Sequence, residues 1–298
     1  MSIGHGEVSR SQRLLHCGRN LLGSAEIDLG MTGLQQWPAS NRGIGMFGSL
    51  GSQERINLAR AKMTRVLDHF LYLLELHANN AHVVYSPLLS SQISQSFAAN
   101  AFNVLQRSMH QFEIVRLCAL WDSADIDKEN IPTVIELIND PSIIDALADE
   151  TRSQRANESS ALLNPSVEPM LNAAERDALR RSELAFADEE AERARTELRL
   201  AIDDACSFLA SPELASIMNI RDRHLAHSLE STRREKYGPI APMKYGDETA
   251  ALELSIPIVE RLYCWVNGKS FSTENARQID EQNASSLWRG CKFDPNMD

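Results

Sequence analysis

The chain has 298 residues, 43% of them hydrophobic and 24% charged, and carries a formal net charge of −11. That length supports a sizeable buried core, as one large domain or two modest ones. The acidic balance argues against coating long nucleic acid through phosphate contacts, which needs a basic face, while leaving room for a local Arg/His cluster.

No run approaches the roughly 18 apolar residues that span a bilayer, so neither a transmembrane helix nor a membrane partner is expected. Cys17, Cys118, Cys206, Cys264 and Cys291 are scattered and lack C-x-x-C spacing. They predict no disulfide framework and no cysteine zinc site, which suits a reducing cytoplasm.

Residues 1–51 are rich in Gly and Ser and hold no period, which predicts a disordered leader. Helical order is expected over 52–270. Ile56, Ala59, Met63, Leu67, Phe70, Leu74 and His77 recur at three- and four-residue steps, the mark of one apolar helical face. Asn79-Asn80 weakens that helix, and Pro87 starts the next. Ile93, Phe97, Ala101, Leu105, Phe112, Val115 and Ala119 form a second stripe, predicting a helix of about 30 residues and about 45 Å.

Short helices should follow at Pro132 and Pro141, each where a first turn tolerates proline. Residues 151–166 read as a loop. A long charged helix is expected from Pro169 to Leu209, with Leu184, Leu198, Ile202, Ala205 and Phe208 on its apolar face. Ser211-Pro212-Glu213 starts another, and a last helix runs from Glu248 to Val266, with Pro257 as a kink and Gly268 as its stop. Residues 271–298 read as an irregular tail. β signals are limited to His82–Tyr85, so the fold class is all-α: an up-and-down bundle of four to five long helices with irregular ends.

Three groups of residues bear on chemistry. Asn267-Gly268-Lys269-Ser270 ends like a phosphate loop but lacks the upstream glycine and strand, so it reads as a helix C-cap. Glu113, Arg116 and Asp122 read as polar contacts inside the bundle. The stretch RDRHLAHSLE, from Arg221 to Glu230, is the densest. His224 and His227 are three apart and could share a metal, but no third ligand is evident, so no metal or other cofactor is expected.

Histidine titrates near neutral pH, and Arg221 offers a planar cation matched to phosphate oxygens. Such a pair suits RNA cleavage by the RNA's own 2′-hydroxyl. Asp222 would orient a neighbour. In an ideal helix, however, Arg221 and His227 point about 120° apart, so the pair needs a distorted helix or a second subunit. A capped helix end, with Arg and His facing the dipole's negative pole, explains the same residues without catalysis.

Arg221-Asp222 and His227, late in an all-α chain, resemble the HEPN superfamily, whose hallmark is Arg and a polar residue followed after a short gap by His. The wording IRDRHLAH, with the upstream QFEIVRLCALWD, is most similar to the AbiU-like abortive-infection branch. The resemblance covers roughly residues 55–268. It implies a HEPN-like bundle and a homodimer in which two motifs face a shared cleft. It also implies a metal-independent endoribonuclease of phage defence, stress response or a toxin–antitoxin system, with a possible neutralising antitoxin. By the same resemblance Arg221 and His227 are the catalytic candidates and Asp222 supports them. Arg223 and His224 hold family-like positions without an assigned role. A catalytically inactive module binding a nucleotide, RNA or a partner protein is the other reading.

Overall fold

The computed structural model describes residues 47–93, 97–162, 172–227 and 229–293, the side chains of 158–162 excepted. Residues 1–46 of the expected leader lie outside these. Phe47 is buried in the core, five residues ahead of the first long helix.

Among the described residues every regular element is helical. α1 spans Ser52–Val83, α2 Pro87–Ser90, α3 Phe97–Leu120, α4 Ile131–Ile138, α5 Pro141–Leu162 and α6 Ala173–Leu209. α7 spans Pro212–Ile220, α8 Asp247–Asn267 and α9 Glu274–Trp288.

α1 is the central column, in contact with α2, α3, α4, α5, α8 and α9. Its expected apolar face is buried: Ile56, Ala59, Met63, Phe70 and Leu74 all enter the main core. Each large side chain so buried contributes about 1.5–3 kcal/mol. Asn79-Asn80 does not weaken the helix. Asn80 is buried, and its Nδ2 donates to Glu113 Oε2 (2.5 Å) and to the Met109 carbonyl (3.3 Å) on α3, so the polar side chain ties two helices together.

α3 corrects two expectations. It has 24 residues rather than about 30. The expected stripe is also its outer face: Phe97 is 94% exposed, and Leu105, Phe112 and Val115 are exposed as well. The buried side is Phe102, Glu113, Ile114, Leu117, Cys118 and Leu120. Two apolar faces share this helix, and periodicity alone does not say which one meets the core.

Pro132 and Pro212 sit in the first turns of α4 and α7 and Ser211 caps α7, as expected, while Asn130 caps α4. Residues 151–162, read as a loop, are helical. α5 runs antiparallel to α6, with Arg152 on Asp188 (2.5 Å) and Arg195 on Asp145 (2.9 Å) and Asp149 (3.1 Å). Ala148, Ala191 and Ala194 pack beneath, so small residues and cross-helix charges hold a segment that has no apolar stripe. On α6, Leu184 is exposed, whereas Leu198, Ile202, Ala205 and Phe208 are buried.

α8 ends at Gly268, whose φ of 65° suits a residue without Cβ. The expected irregular tail is also corrected. Residues 274–288 form α9, which packs on α1 and is fixed by Trp288 Nε1 donating to Asn79 Oδ1 (2.8 Å). The core is closed by Trp121, whose ring meets Phe208 edge-on at 4.7 Å and whose Nε1 donates to Ser255 Oγ (2.9 Å).

Candidate functional site

The site begins at α7. Ser211 Oγ accepts from the Leu214 N–H (3.1 Å) to start the helix, and Leu214, Ile217 and Met218 bury its inner face. At Arg221 the helix widens. Arg221–Leu225 form a π-turn, in which the Ala226 N–H donates to the Arg221 carbonyl (2.8 Å). This is the distortion that an ideal helix lacks, and such turns recur at functional sites. It joins the Arg end of the motif to the residue just before His227.

Arg221 is half-buried, with 18% of its side chain exposed. Its Nε and Nη2 reach Asp222 Oδ1 at 2.8 and 2.6 Å, and Nη1 lies 3.7 Å from Asp122 Oδ1, just beyond α3. Burial works against its charge, but the hydrogen bond and charge of Asp222, with Asp122 behind, outweigh that and hold its pKa above the ordinary value. Asp122 shows the mirror effect. Burial would raise it, yet Lys128 at 3.0 Å, the Ser123 N–H at 2.9 Å and nearby Arg221 lower it. Asp222 Oδ2 in turn lies 3.8 Å from Arg234 Nε. The result is a line of alternating charge: Lys128, Asp122, Arg221, Asp222, Arg234. Cys118 beneath it is a buried thiol whose pKa burial pushes up to about 12, so it stays protonated.

A second network fixes the segment after the motif. Arg223 Nη1 and Asn219 Nδ2 both reach Glu235 Oε1 at 3.0 Å. Thr232 Oγ1 accepts from the Glu235 N–H (3.2 Å), while Glu235 Oε2 accepts from the Thr232 N–H (2.8 Å). That reciprocal pair is a capping box, spelled Thr-Arg-Arg-Glu in the sequence. Asn219 and Thr232 are buried and bonded to each other, Thr232 Oγ1 to Asn219 Oδ1 at 2.5 Å. Hydrogen bonds from Asn219 and the Thr232 N–H keep the Glu235 carboxyl below its usual range.

Of the five candidate residues, Arg221 and Asp222 are in direct contact, and Arg223 belongs to the Glu235 network. His224 and His227 are exposed. Neither makes an ion pair or hydrogen bond among the described residues, so His227 does not touch Arg221 within one chain. Glu113 and Arg116 serve the bundle instead: Glu113 is buried against His77 and Asn80, and Arg116 sits over the Tyr72 ring at 5.3 Å. Asp122 makes a structural contact, as expected, with Lys128 at 3.0 Å, and it also meets the motif through Arg221. Arg234 and Glu235 were absent from the expectation, although the Thr-x-x-Glu spacing marks them.

Among the described residues no three His, Cys, Asp or Glu side chains gather as a metal ion would require. No described helix is long and apolar enough to cross a membrane. No curated protein and no solved structure matches the chain. The family model HEPN_AbiU2, described as AbiU2, matches residues 58–287, from the first turns of α1 to the end of α9. With its helical bundle and its motif on a π-turn beside α3, the chain belongs to the AbiU2 family of HEPN domains.

Proposed function

We propose that the protein is a cytoplasmic, metal-independent endoribonuclease acting in phage defence, a stress response or a toxin–antitoxin system. The observation that carries this reading is that one π-turn presents a half-buried, always-charged Arg221 at its start and leads to an exposed, uncommitted His227. His227 takes the proton of an RNA 2′-hydroxyl. The 2′-oxygen then attacks the adjacent phosphorus, forming a 2′,3′-cyclic phosphate and breaking the bond to the 5′-oxygen. That oxygen leaves with a proton supplied by His227 of the partner subunit. Arg221 stabilises the charge that builds on the phosphate, and Asp222 sets its angle.

This chemistry uses two copies of the chain, which supports a homodimer. The exposed stripe of α3 supplies a surface for it: Phe97, Val104, Leu105, Phe112 and Val115 lie along about 27 Å of helix. Its far end leads to Asp122 and so to Arg221. A neutralising antitoxin would act by covering His227.

The alternative is an inactive module that binds RNA, a nucleotide or a protein. One observation favours it: Arg221 is already neutralised by Asp222 and Asp122.

Purified protein incubated with RNA in excess EDTA decides between them. Cleavage that persists in the chelator and falls about 10²–10⁴-fold in both Arg221→Ala and His227→Ala is expected. Equal cutting by the variants and the parent would remove the motif from catalysis. No cutting by the parent would leave the binding module.

A further inference from the structure

The segment after the motif has a pattern that the cleavage chemistry does not use. Residues 236–246 read KYGPIAPMKYG, so a Lys-Tyr-Gly triplet occurs twice, eight residues apart. Both tyrosines project into solvent, Tyr237 at 89% and Tyr245 at 71% exposure. Tyr237 makes no ring contact among the described residues, and Tyr245 meets Tyr85 on one side while most of its ring stays in solvent.

The charge is local too. Between residues 231 and 245 stand Arg233, Arg234, Lys236 and Lys244 against one acid, Glu235, in a chain of net charge −11. Glu235 is taken up by Arg223, Asn219 and Thr232. Arg233, Lys236 and Lys244 are exposed and make no ion pair among the described residues. The segment is therefore a cationic strip with two largely exposed aromatic rings.

It is also held in place at both ends. At its start Thr232 is buried at 0% exposure within the capping box, and Arg234 Nε is 3.8 Å from Asp222. At its end the Lys244 N–H donates to Asp247 Oδ2 (2.7 Å), Gly246 turns the chain into α8 at φ 94°, and Tyr245 meets Tyr85 edge-on at 5.4 Å. Pro239 and Pro242 restrict the backbone between. A strap fixed in this way loses little freedom when a ligand arrives.

Resting on the ribonuclease reading, we propose that residues 231–245 are the substrate track, and that it takes single-stranded RNA. Tyr237 and Tyr245 stack on bases, and Arg233, Lys236 and Lys244 contact phosphates. Duplex RNA hides its base faces in its own stack, so two aromatic platforms discriminate for the single strand. The track starts beside Asp222, so RNA lying along it passes the Arg221 end of the motif.

The test is fluorescence anisotropy of a labelled 20-nucleotide mixed-sequence RNA, alone and annealed to its complement, in EDTA. The full chain carries His227→Ala so that the probe stays intact. Tyr237→Ala and Tyr245→Ala should each weaken single-strand binding about 5- to 100-fold, while both Tyr→Phe variants keep it. Lys236→Ala and Lys244→Ala should each lower the salt slope by about 0.7. Alanine variants that bind as tightly as the parent, a parent that prefers the duplex, or a parent that binds neither RNA would each overturn the track. The last result would point to a protein partner on the strap. Cleavage by the chain with His227 restored is read separately. Tyrosine-dependent binding without cleavage ends the nuclease reading and keeps the track; cleavage with tyrosine-independent binding does the reverse.

Discussion

Arg221 Nη1 lies 3.7 Å from Asp122 Oδ1, so the π-turn is tied by charge to the residue two past the end of α3. The contact is partly exposed, and a pair of this kind contributes up to about 1 kcal/mol. Asp122→Asn removes the attraction with little change of shape. RNA affinity, measured by anisotropy on the His227→Ala chain, should rise by up to about fivefold as Arg221 becomes freer to meet phosphate. An unchanged or weaker affinity would mean that Asp122 positions Arg221 rather than restraining it.

The Thr232–Glu235 capping box makes a stability prediction. Thr232→Ala removes the cap and leaves buried Asn219 Oδ1 without its donor. The combined cost should be about 1–3 kcal/mol in urea unfolding, whereas Thr232→Ser should cost less than half of that. Equal losses for both variants would show that the methyl group, not the hydroxyl, matters there.

A pH dependence arises on the other side of α3. His110 Nε2 lies 3.1 Å from Glu248 Oε1, and Tyr85 Oη lies 3.0 Å from both Glu248 and Glu113, with His77, Asn80 and Tyr245 completing the surroundings. The hydrogen bond to Glu248 raises the His110 pKa above 6.5. Burial alone would raise Glu248, but His110, its own backbone N–H and Tyr85 outweigh burial and lower it below 4.5. The histidine contribution is then complete below about pH 6.5 and lost as pH climbs through its folded value. The carboxylate contribution is complete above about pH 4.5 and lost as pH falls through its own. Melting curves should therefore peak between these limits, and His110→Gln should flatten the decline on the alkaline side. A decline of the same slope in that variant would assign it elsewhere.

Trp121 joins α3 to α6 and α8 through Phe208 and Ser255. Trp121→Ala should cost about 3–5 kcal/mol in urea unfolding. A loss below about 1 kcal/mol would contradict its place in the core.

The outer stripe of α3 yields the assembly prediction. Phe112→Glu puts a charge near the C-terminal end of the stripe, where the ring is exposed and meets only the partly exposed Tyr72 ring edge-on. Sedimentation should show the parent as a dimer and the variant as a monomer of unchanged helical content. A dimeric variant would move the interface to another face.

How far the sequence led can be read from individual elements. The face of α1, the starts of α4 and α7 and the stop of α8 were legible, because apolar spacing, the Ser211 cap, prolines and Gly268 act locally. The choice of face on α3 was not legible. Phe112 and Val115 are as apolar as Ile114 and Leu117, and only the packing of neighbouring helices decides between them. The helix at 151–162 was missed because its ionic support, Arg152 on Asp188, comes from a partner far along the chain. In the candidate site the Arg221–His227 spacing was plain, but the π-turn was not, since nothing in RDRHL departs from ordinary helix composition. The role of Asp122 depends on a meeting of two elements 99 positions apart.

The alternating line from Lys128 to Arg234 bears on how Arg221 can change partners. Each carboxylate in it has a second cation: Asp122 keeps Lys128 at 3.0 Å, and Asp222 keeps Arg234 at 3.8 Å. Were the guanidinium to swing toward an incoming phosphate, neither acid would be abandoned in a half-buried place, which is the step that makes breaking such pairs costly. The arginine is thus an exchangeable member of its network, since each acid beside it stays neutralised by a second cation.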